Sequence, residues 1–224
     1  MFNAIRKGNM KSKHGFLFAL LALAFFAVVP AADAAVYVPG LAQAQFDGAS
    51  TDKTSDIAAA ANLTYAAGPI MANTSGSAKD WNNTSWSWAG NRVFGYIGEM
   101  WVEAGTTYTF GKSVDDWTYI VVDGTTVIDN DKYNVITFGS YMATSTGWVP
   151  IEIRVGNGGG GAGLANSAKW GVAYNTADDT SSDHFKAGSD GWAVLLDPGD
   201  CSLLRVAYSG SDYMTIEGDR TSVV

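Results

Sequence analysis

The chain has 224 residues, with 14 Lys+Arg against 22 Asp+Glu, a formal net charge of −8 and one cysteine. An acidic surface without a Lys/Arg cluster repels phosphate backbones, which argues against nucleic acid as a partner. Cys201 alone cannot form an intramolecular disulfide; it is either a buried small apolar residue or a free thiol available for pairing between chains. His184 is the one histidine beyond the leader, so no Cys/His zinc spacing exists.

Residues 1–35 read as a signal peptide. Arg6, Lys7, Lys11 and Lys13 are basic, residues 16–29 are an unbroken apolar run, and Pro30 and the small residues 32–35 follow. The run is shorter than the roughly 20 residues that cross a bilayer as a helix, which favours cleavage over an uncleaved anchor. The expectation is a secreted or cell-surface protein with no membrane span once the leader is removed. Residues 36–224 carry 10 basic and 21 acidic side chains, a net charge of −11. Their number suits one domain able to bury a core, and their charge suits hard cations that bind carboxylate oxygens.

Residues 36–77 are rich in Ala, Gly, Ser and Thr, with short apolar stretches at 36–38 and 41–46, and residues 57–61 suit one or two helical turns. From Trp81 onward Trp86, Trp88, Phe94, Tyr96, Trp101, Tyr108 and Phe110 bring aromatic density that favours a pleated surface. Strands are predicted at 93–102 and 106–110, separated by Glu103-Ala104-Gly105, a turn of hairpin length. Strands at 117–122 and 125–128 flank Asp123-Gly124, the strongest hairpin signal in the chain, because a type I′ turn needs positive φ at both central residues. Further strands are predicted at 133–138, 148–155, 170–174, 192–196 and 203–208, with a polar acidic loop at 175–190 and a glycine run at 156–163. Short strands, glycine turns and no long amphipathic helix predict an all-β antiparallel sandwich or barrel in a single domain.

Asp115-Asp116 is the notable acidic pair. Neighbouring strand residues point to opposite faces, so two adjacent carboxylates grip one cation only if the backbone bends sharply or turns cis. The plain alternative is an acidic turn whose carboxylates satisfy nearby N–H groups. Trp117 beside the pair either stacks on a sugar ring or belongs to the core. Gly158, in the glycine run, lets a ligand approach the backbone closely. Asp129-Asn130-Asp131 fails the EF-hand pattern, since Asn134 stands where glycine is needed. Asp178, Asp179 and Asp183 read as a solvated loop or a second, weak cation site. Serine hydrolase chemistry would have to use His184, and no G-x-S-x-G elbow occurs; nothing marks a glycosidase carboxylate pair, so the chain is not expected to be an enzyme.

The order of these pieces resembles the PA14 domain, a β-barrel module of bacterial toxins, glycosidases and adhesins. The matching stretches are Pro39-Gly40-Leu41, Phe46-Asp47-Gly48, Gly105-Thr106-Thr107-Tyr108-Thr109-Phe110, Ser113-Val114-Asp115-Asp116, the hairpin at 121–129, the strand at 150–155 and Trp170. The likeness covers roughly residues 36–174 and is strongest from 108 to 129. In lectin-like members, adjacent aspartates joined by a cis peptide chelate calcium, a second loop adds an asparagine and backbone oxygens, and sugar hydroxyls complete the shell. The resemblance therefore implies a calcium site of Asp115, Asp116 and Asn157, and the chemistry of the neighbouring residues adds Trp117 and Gly158 to the candidate carbohydrate site. This chain departs from many members in having Trp117 after the aspartates and an unusually glycine-rich second loop. The expectation is calcium-assisted carbohydrate binding in adhesion or polysaccharide capture. The alternative is a structural, self-associating envelope protein that uses the barrel as scaffold.

Overall fold

Two eleven-residue strands, β4 (Arg92–Val102) and β10 (Gly147–Asn157), form the spine of the molecule. They pair antiparallel along their whole length, Gly147 opposite Val102 and Asn157 opposite Arg92. Their inward residues fall on alternate positions: Phe94, Tyr96, Met100 and Val102 from one strand, with Gly98 between them, and Val149, Ile151, Ile153 and Val155 from the other. That period is what a half-buried strand requires. The computed structural model describes residues 36–66, 70, 90–133, 135–159, 163–164, 167–196 and 203–208. The leader, Trp81, Trp86, Trp88 and Cys201 lie outside the described residues.

The remaining strands arrange themselves around this pair. β7 (Trp117–Val122) takes the far edge of β10 and continues through a hairpin into β8 (Thr125–Asn130). The near edge of β4 is shared by β2 (Ala42–Asp47) and β14 (Leu204–Tyr208). Outside them lie β3 (Thr64–Tyr65) on β2 and β1 (Val36–Pro39) on β14. A second sheet runs β13 (Ala193–Val194), β12 (Val172–Asn175), β5 (Thr107–Lys112), β9 (Thr137–Met142). A short ladder joins β6 (Val114–Asp115) to β11 (Gly163–Leu164). The fold is an all-β antiparallel sandwich, and every described residue belongs to one compact unit, Ala35–Val224.

Between the sheets, Tyr108 and Phe110 of β5 meet the apolar faces of β4, β7 and β10 in one core. Each fully buried large apolar side chain there contributes about 1.5–3 kcal/mol relative to exposure. The outer face of the second sheet is covered by α1 (Ser182–Ala187), whose Phe185 packs with Trp192, Ala168 and Ala173. Gly111 is the contact point on that face: a Cβ there would come within 2.6 Å of the Phe185 ring and 2.9 Å of Trp192. Among the described residues no helix is long and apolar enough to cross a membrane.

Asp123 and Gly124 have φ of 50° and 71°, the pair of positive values that a type I′ turn demands. The turn at 103–105 is not a hairpin. β4 and β5 enter different sheets, because both edges of β4 are already taken by β10 on one side and β2 and β14 on the other. The chain instead turns a corner, with Gly105 N–H donating to the Ala143 carbonyl and the Glu103 N–H to the Tyr108 hydroxyl. Residues 57–61 make hydrogen-bonded turns rather than helix, and Ile57 is buried there against Gly95. The strand expected at 133–138 begins at Thr137, and the one at 192–196 narrows to two residues.

The loop at 175–190 contains the helix α1, which the acidic composition concealed. Ser181 caps it by accepting from the His184 N–H, and Gly188 closes it in the left-handed region, at φ 63°. Asp179 organises the approach, accepting from the Ser181 N–H at 2.8 Å and the Trp192 indole at 3.1 Å, with His184 Nδ1 2.9 Å away. These partners make Asp179 a structural carboxylate rather than part of a cation site. The hydrogen bond that His184 donates to Asp179 raises the pKa of His184, and the Asp190 carboxylate adds to it. The stabilisation carried by charged His184 is thus complete below the ordinary histidine value near 6.5 and fades as pH rises through the higher folded value. A proton-detected NMR titration should place the His184 midpoint above 6.5, and Asp179→Asn should bring it down.

Candidate functional site

The long strand β10 delivers its last residues to the first residues of β7. Gly156 pairs with Trp117, and the Asp116 N–H donates to the Gly156 carbonyl at 3.1 Å. The glycine run then leaves β10 beside Asp116 and re-enters the ladder at Gly163, which pairs with Asp115. Both aspartates therefore sit where this loop departs and returns. Their peptide bond is cis.

The two carboxyl groups are neighbours. Asp115 is pushed up to about 6, first by desolvation, then by a side-chain hydrogen bond with Asp116 and by its negative charge. Asp116 Oδ2 also accepts the Gly158 N–H at 2.7 Å, which ties the aspartate turn to the glycine loop. Asn157, completely buried, directly precedes that glycine. Asp115, Asp116, Asn157 and Gly158 are thus gathered at one end of the sandwich.

Trp117 is the exception. Its ring is 2% exposed, stacks with Tyr119 at 5.9 Å and 6° between planes, and donates its indole N–H to Asp129. Lys53, paired with Asp129, lies over the same two rings. Of the two readings of Trp117 the core one holds, and its place among the ligand-binding residues is corrected to that of a buried wall, because β7 places it between Gly156 and these neighbours and leaves no open ring face for a sugar.

Sequence reasoning missed Lys112. It is completely buried, and its ammonium donates to the carbonyls of Lys132 at 2.6 Å, Asp116 at 3.2 Å and Val114 at 3.5 Å. Burial brings it down to about 8, opposed by the charges of Asp115, Asp116 and Asp131. The ammonium binds backbone oxygens of the aspartate turn and leaves the carboxylates themselves to other partners. The signal was present: in 107–112 the alternation that sends Tyr108 and Phe110 inward also sends Lys112 inward.

Ser50 was missed as well. Its carbonyl lies against Gly156, where a Cβ would come within 1.9 Å of that oxygen, so only glycine fits. The segment around Ser50 is braced by the Arg154 guanidinium, which is buried and donates to the carbonyls of Asp52 and Ser55. Desolvation acts to raise Asp52, but hydrogen bonds from Ser55 and Thr54 outweigh it and hold that carboxyl at about 2. Nothing in the sequence linked residue 50 to residue 156.

The donor set suits a divalent cation. Adjacent carboxylates repel when both are ionised, a charge effect that adds to the desolvation raising Asp115, and a cation beside them removes that repulsion. Among the described residues no group of three or more His, Cys, Asp or Glu could hold a metal. The remaining oxygens would have to be amide, carbonyl and ligand oxygens, which calcium accepts in its shell of six to eight.

The chain matches no family model and no curated protein. Among solved structures it is similar to an anti-sigma factor domain-containing protein from Clostridium clariflavum, at 12% identity and a TM-score of 0.48, over 77% of this chain and 49% of that one. It therefore spans about half the length of that protein. It is also similar to the PA14 domain of the MpAFP antifreeze protein, at 16% identity and a TM-score of 0.48, over 76% of this chain and 92% of that domain. A third is the PA14 sugar-binding domain from an RTX adhesin, at 18% identity and 0.45, over 70% and 94%. Two of the three are PA14 domains.

Proposed function

We propose that this chain is a carbohydrate-binding module acting outside the cytoplasm, with calcium held at the Asp115-Asp116 turn and a sugar completing the metal's shell. The observation that carries the reading is the juxtaposition of the Asp115-Asp116 turn with the glycine end of β10, where Asp116 Oδ2 accepts the Gly158 N–H and Asp115 pairs with Gly163. Asp115, the second oxygen of Asp116 and Asn157 would hold the ion. Its chemistry would be that of a hard cation gathering neutral hydroxyl oxygens. The chain's own residues do the rest: Lys112 fixes the turn from beneath by its carbonyls, Gly158 N–H orients Asp116, and Gly156 lets the loop of Ser50 close against the strand.

Binding rather than catalysis fits the same geometry. The two nitrogens of His184 face Asp179 and Asp190, at 2.9 and 3.5 Å, so neither is set against a nucleophile. The test is a defined oligosaccharide array probed with residues 36–224, with calcium and with chelator. A lectin binds selected glycans and loses them to chelator. Silence under both conditions would sink this reading and leave the barrel as a scaffold for self-association.

A further inference from the structure

Three carbonyl oxygens converge on the Lys112 ammonium: Lys132 at 2.6 Å, Asp116 at 3.2 Å and Val114 at 3.5 Å. Two of them stand where the β7–β8 ladder would continue. Its last rung sets Thr118 opposite Asn130, and the same register two residues further on would set Asp116 opposite Lys132. The ammonium bridges those two carbonyls instead, so a side chain from the other sheet closes the ladder at the aspartate turn. Three N–H donors meet three acceptors, which satisfies the group as a hydrogen-bond donor but not as a charge. Lys112 is completely buried, and a charge taken out of water needs opposite charge near it. The carboxylates whose charges act on it are those of Asp115, Asp116 and Asp131.

We propose that Lys112 is the resident counter-cation of the aspartate turn, balancing its two carboxylates when no metal is bound and opposing calcium when it binds; the inference rests on the calcium part of the reading above. Asp115 and Asp116 are both half-buried, and adjacent carboxylates in such a place need positive charge nearby. Lys112 supplies it without occupying the carboxylate oxygens, because its hydrogen bonds go to main-chain carbonyls. The turn keeps its side-chain oxygens for a metal and still has a positive charge beside it in the metal-free protein. Calcium makes that charge redundant and meets it as a like charge. The ammonium therefore has two effects of opposite sign: it steadies the metal-free protein and lowers the affinity for calcium. A lysine that only braced the backbone would stabilise both states equally.

Lys112→Gln tests this in residues 36–224, since it removes the charge and keeps two N–H donors for the carbonyls. Thermal melts in chelator and in calcium chloride, with calcium chloride titrated by calorimetry, read the two effects. In chelator the variant should melt below wild type. Calcium should bind it about tenfold more tightly than wild type, the scale of removing one nearby like charge, and its calcium-induced rise in Tm should be the larger. Adding Asp116→Asn should rescue Lys112→Gln in chelator, raising its Tm by more than the same change raises that of wild type. If Lys112→Gln alone does not fold in chelator, the double variant decides, and its failure to fold would overturn the proposal, because charge was then not what was missing. Calcium affinity equal to or weaker than that of wild type would also overturn it and leave Lys112 as a brace of the backbone. A wild type whose Tm ignores calcium removes the metal reading and this inference with it, an outcome distinct from a variant that matches a responsive wild type.

Discussion

Gly156→Ala is expected to destabilise the chain by about 3 kcal/mol, the upper end of what an added methyl costs in a close-packed place. The new Cβ would lie 1.9 Å from the Ser50 carbonyl oxygen, 2.9 Å from its carbon and 3.2 Å from the Trp117 ring. The first two atoms are backbone, and their segment is held by the buried Arg154, so relief requires moving residues 48–55 as a body. Gly159→Ala supplies the contrast, since a Cβ there meets nothing within 4 Å. It should be neutral or add up to about 1 kcal/mol by restricting the unfolded chain. Urea unfolding reads both, as a shifted midpoint at constant slope. Equal midpoints for the two variants would show that the Ser50 segment does not press on β10.

How far such contacts could be read beforehand depended on their distance along the chain. The sandwich was legible because period-two alternation and the Asp123-Gly124 turn are local, and both act through the backbone of a few residues. The aspartate pair was legible for the same reason. What the sequence concealed was long-range: which edge of β4 was still open when β5 arrived, or which residue would cover Gly156. Glu103-Ala104-Gly105 has the length of a hairpin turn, and only the occupancy of both β4 edges makes it a corner between sheets. Trp117 stayed open between two readings because a tryptophan next to two aspartates has the composition of a sugar site, whereas its register opposite Gly156 decides that it is buried. Lys112 lay between these cases, since its inward direction was readable but its three carbonyl partners were not.

Calcium should stabilise residues 36–224 by about 2.7 kcal/mol at a hundredfold excess over its dissociation constant, provided it binds the folded state alone. For a domain of this size that is a rise in Tm of roughly 5–10 °C. Asp116→Asn is the decisive variant. It removes a negative charge at almost constant volume, and the amide oxygen can still accept the Gly158 N–H, so the turn keeps its link to the glycine loop. Loss of one of two carboxylate ligands should weaken calcium at least tenfold. At the same calcium concentration the stabilisation would then fall to about 1.4 kcal/mol or less. Without calcium the variant should be no less stable than wild type, because Asp115, raised to about 6 first by desolvation, also loses the adjacent Asp116 charge that adds to that rise. Asp183→Asn controls for general charge: its side chain is 92% exposed on α1, so the calcium response should remain whole. A wild-type Tm indifferent to calcium would remove the metal from the site. A response lost equally in both variants would assign it to diffuse screening of an acidic surface.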